Sequence, residues 1–151
     1  MTKSDLILRD IDILRDVSDI EIGFTITTTD RATARLLEPG AVEPRRRFYA
    51  LARLAEAGLR TWVFIAPVIP GVTDSERNLE LILGEAARAG VGRVEYDPLN
   101  FYPTAVANLR YLIHKHWPRS LLRFQAAYRD QKAYREWLRN LAKELWPVYG
   151  Y

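Results

Sequence analysis

The stretch Trp62-Val-Phe-Ile-Ala-Pro-Val-Ile-Pro-Gly71 constrains this chain most. A short β-branched and aromatic run closed by Pro67, Pro70 and Gly71 reads as a buried parallel strand that stops at a rigid turn. Thr73-Asp74-Ser75-Glu76 then supplies capping side chains for a helix over about residues 75–89. Leu79, Leu81, Ile82 and Ala86 are expected to face inward, and Gly90 is its stop. A strand that ends in a shaped loop before a helix is where α/β folds place ligands.

The same unit recurs on both sides. Glu21-Ile-Gly-Phe-Thr-Ile-Thr-Thr-Thr29 is rich in β-branched residues and predicts a strand. Asp30 can cap a short helix through Leu37, which Glu38-Pro39-Gly40 breaks. Pro44 opens a second helix with Leu51, Leu54 and Ala55 on its apolar face, and Gly58 closes it. Gly92-Arg-Val-Glu-Tyr-Asp97 predicts a short third strand, ended by Pro98. Upstream, Ser4 or Asp5 caps an expected helix to about Val17, with Leu6, Ile7, Ile11 and Leu14 as its apolar face and the tail of a further strand before Ser4.

Alternation of strand and helix predicts parallel strands joined by crossover helices. Three or four such units fall short of a closed eight-unit barrel, which needs about 250 residues. The predicted fold is therefore α/β: a partial parallel (βα) barrel of three to four βα units over residues 1–100. Residues 101–151 follow as a basic, aromatic-rich helical extension, with helices expected at about 103–115, 119–127 and 131–146. The net charge of +3 conceals this division. Residues 1–100 hold 13 Lys+Arg against 16 Asp+Glu, a balance of −3, and residues 101–151 hold 9 against 3, a balance of +6.

No stretch reaches the roughly 18 apolar residues of a membrane span, and the first residues lack a signal-peptide core. The expected location is cytoplasmic, with no membrane partner. The chain has no cysteine, which excludes disulfides, a thiol nucleophile, a Cys-ligated zinc site and a Cys-ligated cluster made by this chain alone. His114 and His116 are two apart on a predicted helix and share no face, so no metal site is expected.

Four islands carry a resemblance. They are Thr2-Lys3-Ser4-Asp-Leu-Ile-Leu-Arg9-Asp10-Ile-Asp12-Ile-Leu14; Phe24-Thr25-Ile26-Thr27-Thr28 running into Leu37-Glu38-Pro39; Arg47 followed by Leu54-Ala55-Glu56-Ala57-Gly58; and Ala66-Pro67-Val68-Ile69-Pro70-Gly71. In this order and spacing the chain resembles the later half of radical SAM proteins related to spore photoproduct lyase, the DNA repair photolyases. The resemblance covers about residues 2–98. It implies reductive cleavage of S-adenosylmethionine to a 5′-deoxyadenosyl radical, which abstracts hydrogen from a substrate. The family's Cys-x-x-x-Cys-x-x-Cys loop, which holds a [4Fe–4S] cluster, has no counterpart here. The cluster is expected only if another chain supplies it, such as a cysteine-bearing N-terminal half. Without that partner, either self-association through an open sheet edge or folding of the helical tail back over the open side is expected.

The resemblance places Lys3 and Thr25 on the methionyl carboxylate, a role that suits an ammonium and a hydroxyl. It places the backbone of Pro67, Val68 and Ile69 beside the adenine. Thr27 shares Thr25's face by the period of two and lines the same cavity or fills the barrel. Glu38 and Arg47 either pair to fix the loop after the strand, lie near ligand, or are ordinary surface charges. Tyr96, Asp97 and Asn100 end the last strand, where barrel site residues lie; Asp97 and Asn100 equally suit turn formation and helix capping. The basic tail suits contact with nucleic acid through Arg and aromatic side chains, or amphipathic helices packed on the sheet.

Overall fold

The computed structural model describes residues 1–151. Three strands form one parallel sheet in the order β1 (Glu21–Thr25), β2 (Arg60–Val68) and β3 (Arg93–Pro98). Parallel neighbours need long crossovers. These are α2 (Arg31–Leu37) and α3 (Pro44–Glu56) between β1 and β2, and α4 (Glu76–Arg88) between β2 and β3. The α/β architecture expected from the repeated unit is therefore present. Thr2 pairs in parallel with Phe24, its N–H donating to Gly23 O at 2.8 Å and its carbonyl accepting from Thr25 N at 3.2 Å. This is the strand tail expected before Ser4.

Helices cover one face of the sheet. Ile22, Phe24 and Ile26 from β1 and beyond, Val63 and Ile65 from β2, and Val94 from β3 pack against Leu51 and Leu54 of α3 and Leu79, Ile82 and Leu83 of α4. Fully burying such a side chain is worth about 1.5–3 kcal/mol, so this layer dominates the fold. The opposite face carries Gly23, Thr25, Trp62, Phe64, Arg93 and Glu95 by strand alternation. There the Trp62 ring lies against Gly23, the Arg93 guanidinium sits 4.8 Å over Trp62, and Arg93 pairs with Glu21 and Glu95 at 2.8 and 2.6 Å.

Two expected faces are corrected. Leu81 is 44% exposed, because the inward stripe of α4 runs at Leu79, Ile82, Leu83 and Ala86, and residue 81 lies across the helix from it. The first helix is a 3-10 coil over Asp5–Asp10 followed by α1 (Ile11–Arg15). Ile7, Leu8, Ile11 and Leu14 pack against the core, and Leu6 turns out to 62% exposure.

The extension forms α5 (Pro103–His116), α6 (Leu121–Arg129) and α7 (Gln131–Leu145). Val106 and Ile113 of α5 and Phe124 of α6 make a small core of their own with Leu99. Leu138 and Leu145 of α7 join the main core, and Trp146 Nε1 donates to Val94 O at 2.9 Å. The end of the chain thus packs on the helix-covered side of β3, not across the open face. No helix is long and apolar enough to cross a membrane.

Candidate functional site

Parallel strands bring their C-terminal ends to one edge of the sheet, and two adjoining clefts open there. The first, of about 370 Å³, is lined by Lys3, Thr25, Phe64, Pro67, Asp97 and Asn100. The second, of about 680 Å³, lies between the end of α2 and α5, with Thr27, Leu36, Glu38, Ile69, Leu109 and Leu112 among its walls. Lys3, Pro67 and Leu99 line both. Residues scattered over about a hundred positions are collected because the strands end side by side here, with the end of α2 and the face of α5 closing the second cleft.

A chain of charges closes one side. Lys3 Nζ donates to Glu38 Oε1 at 2.6 Å, and Glu38 Oε2 lies 2.6 Å from Arg47 Nη1. Arg47 also donates from Nη1 to Thr25 O at 2.8 Å and from Nε to Val42 O at 2.7 Å. The surface-charge reading of Arg47 is corrected: it is 1% exposed and ties the end of β1 to the loop before α3. The pairing reading of Glu38 and Arg47 is the observed one. Two cations against one carboxylate leave this wall net positive, with Lys3 half-exposed and two of its N–H donors beyond the Glu38 bond. Thr27 is 2% exposed, and its Oγ1 has no hydrogen-bond partner in the protein. A buried hydroxyl without a partner is uncommon, and this one belongs to a cleft-lining residue.

The turn after β2 is held from several directions. Thr73 Oγ1 accepts from Ile69 N at 2.8 Å, and Asp74 Oδ1 accepts from Gly71 N at 2.8 Å. Ser75, rather than either of these, caps α4 through its bond from Asn78 N. The Asn78 amide donates to Thr27 O at 3.0 Å and Thr73 O at 2.8 Å, joining the loops after β1 and β2. From the extension, Ser120 Oγ donates to Gly71 O, Arg123 Nε donates to Asp74 Oδ2 at 2.8 Å, and the Tyr134 hydroxyl donates to Val68 O at 3.4 Å. Burial pushes the Asp74 carboxyl above its ordinary range against the pull of Arg123, and burial likewise raises the Tyr134 hydroxyl. Two of the turn's three N–H donors, Ile69 and Gly71, are thus engaged within the protein. Pro67 and Ile69 remain as apolar walls of the clefts.

The structure therefore brings Lys3, Thr25, Pro67, Asp97 and Asn100 to one cleft and Thr27, Glu38 and Ile69 to its neighbour. Val68 is fully buried in the core. Tyr96 stands on the helix-covered face, its ring 5.3 Å from Trp146, away from both clefts. Asn100 bonds Asp97 at 3.4 Å and accepts from Arg135 at 2.9 Å; neither caps α5, which has no side-chain cap. Sequence reasoning missed Asp74, Asn78, Ser120 and Arg123 as supports of the turn. The Thr-Asp pair just after Pro-Gly carried a usable signal, since such side chains bond nearby backbone. Ser120 and Arg123 carried none, lying 49 residues from their partners.

Lys3 has donors to spare in the cleft that Thr25 and Pro67 also line, a set that suits the carboxylate of the cofactor that the resemblance implies, while Val68 is buried and Ile69 lines the second cleft. No three His, Asp or Glu side chains converge as a metal site.

No protein-family model matches the chain, and no solved structure matches it. It is similar to an uncharacterized protein of Methanocaldococcus jannaschii, 39% identical over 85 residues that make up 56% of this chain and 31% of that protein. An uncharacterized protein of Mycobacterium tuberculosis is 26% identical over 156 residues, 99% of this chain and 46% of that one, so the similarity runs through the helical extension. An uncharacterized protein of Acidianus two-tailed virus is 33% identical over 97 residues, 62% of this chain and 32% of its own length. The chain spans less than half the length of each of these relatives.

Proposed function

We propose that these 151 residues are the cofactor- and substrate-side part of a radical SAM protein resembling spore photoproduct lyase and the DNA repair photolyases, with the iron ligands lying outside residues 1–151. In this reading the three-stranded sheet, extended by Thr2 beside β1, is an arc of a (βα) barrel whose open face is the barrel interior. The observation that carries it is the convergence of Lys3, Thr25 and Pro67 on one cleft at the C-terminal strand ends. That is where such barrels hold their ligands.

Lys3 and Thr25 bind the methionyl carboxylate of S-adenosylmethionine. Glu38 orients Lys3 across the cleft, and Arg47 fixes both Glu38 and the Thr25 carbonyl. Pro67 excludes water from one wall. When bound together with a reduced cluster, the cofactor supplies radical chemistry, while the protein supplies position and electrostatics. Calorimetric titration with S-adenosylmethionine and S-adenosylhomocysteine tests the reading. One-site binding is expected, weakened about tenfold by Lys3→Gln and by Thr25→Val, the loss of one good hydrogen bond each. No binding at millimolar ligand, or binding indifferent to both changes, overturns it.

The second reading is a non-catalytic binding protein that contacts nucleic acid through its tail. It is favoured by the +6 balance of residues 101–151 and by exposed Tyr111, Tyr128 and Trp137. Affinity for single-stranded DNA that falls steeply with salt supports it; no binding at low salt removes it.

A further inference from the structure

We propose that the cleft between α2 and α5 is a binding compartment of its own, which takes a small amphipathic anion. Its head meets Lys3 and the Thr27 hydroxyl, and its apolar body lies against the α5 wall. The compartment is about 680 Å³, within the range of small-molecule sites. Its two ends differ in chemistry. The polar end holds Lys3, Thr27 and Glu38, and the apolar end holds Leu36, Leu109 and Leu112. Glu38 is held between Lys3 and the buried Arg47, so its charge is more than offset and the polar end favours an anion. Thr27 Oγ1 is buried and unpartnered at this cleft, and its own carbonyl is already taken by Asn78. Backbone anchoring of this kind fixes where the hydroxyl sits, and a fixed unsatisfied hydroxyl is a ready hydrogen-bond partner for a ligand head. The compartment shares only Lys3, Pro67 and Leu99 with the carboxylate cleft. Lys3 serves both clefts, so the two ligands would compete for its ammonium, while Thr27 and the α5 wall belong to this compartment alone.

The test uses the full 151-residue chain and the fluorescent anion 8-anilinonaphthalene-1-sulfonate, whose apolar rings and acidic head match the two ends. Saturable one-site binding to the folded protein is expected, with weaker binding of the uncharged N-phenyl-1-naphthylamine. Thr27→Val keeps the shape and removes a hydroxyl that bonds nothing in the protein. It should leave the melting temperature unchanged or raised while weakening the probe about tenfold. Ala105→Phe, on the α5 wall, should block the probe in a protein whose circular dichroism is unchanged. The proposal is overturned if the probe does not saturate a single site. It is also overturned if binding is indifferent to both substitutions, or if Thr27→Val lowers the melting temperature without touching affinity, since the hydroxyl would then serve the fold alone.

Discussion

Arg47→Met is the most informative perturbation of the framework behind the clefts. Methionine keeps the apolar stem and removes the guanidinium. Val42 O and Thr25 O then lose donors that stand at 2.7 and 2.8 Å. A buried acceptor left unpaired costs about 1–3 kcal/mol. Glu38 loses a cation at 2.6 Å but keeps Lys3, so the charge contribution falls at the lower end of the about 3–5 kcal/mol seen when one partner of a buried pair is removed. These losses overlap, and the expected destabilisation is about 4 kcal/mol. That is a large share of the roughly 5–15 kcal/mol by which domains are stable. Denaturant unfolding should show it as a lower midpoint at unchanged slope. Adding Glu38→Leu removes the stranded carboxylate while the two carbonyls remain unpaired, so the double variant should recover to a loss of about 2 kcal/mol. An Arg47→Met loss below about 1 kcal/mol, or a double variant no more stable than Arg47→Met alone, would refute the argument that this pair is a buried, mutually dependent support.

Gly71→Ala should cost about 2 kcal/mol or more in denaturant unfolding. Its φ is +75°, and a Cβ there would stand 2.8 Å from Ser120 Cβ and 2.9 Å from Ser120 O; Ser120→Ala should not rescue it, because the backbone oxygen remains. Gly23→Ala places a methyl 2.4 Å from Trp62 Cε2, so the indole must leave the sheet. A red-shifted tryptophan emission is expected, relieved in a Trp62→Phe background. The Thr33 backbone N–H, donating at 2.7 Å, holds the Asp30 carboxyl below its ordinary range. Its contribution is therefore present above the unfolded value of about 3.8 and lost as pH falls through the lower folded value. Asp30→Asn should keep the cap and flatten this part of the acid-side stability profile, while Asp30→Ala should lose about 1 kcal/mol at neutral pH.

Features that depend on local patterning were readable along the chain. The β-branched runs, the Asp30 and Ser75 caps and the Gly58 and Gly90 stops lie within a few residues of what they control, so β1, β2, β3 and the helices between them were legible. Alternation puts Val63 and Ile65 on one face of β2 and Trp62 and Phe64 on the other, but both pairs are apolar, and packing alone shows which of them meets the helices. Which residues meet was set by packing between distant elements. Leu81 is as apolar as Leu83, but the face of α4 that meets the sheet runs through Leu79, Ile82, Leu83 and Ala86, so one is buried and the other exposed. Arg47 looked like one of three adjacent surface arginines. It became a buried strut because the end of β1 presents a carbonyl, and the loop before α3 another, at the reach of a single guanidinium. Tyr96 and Asp97 are neighbours in sequence but stand on opposite faces of β3, so only Asp97 reaches a cleft. The bonds from Ser120 and Arg123 to the 67–71 turn span 49 residues. No local rule foresees them, because they depend on where a second small core sets α6 against the end of β2.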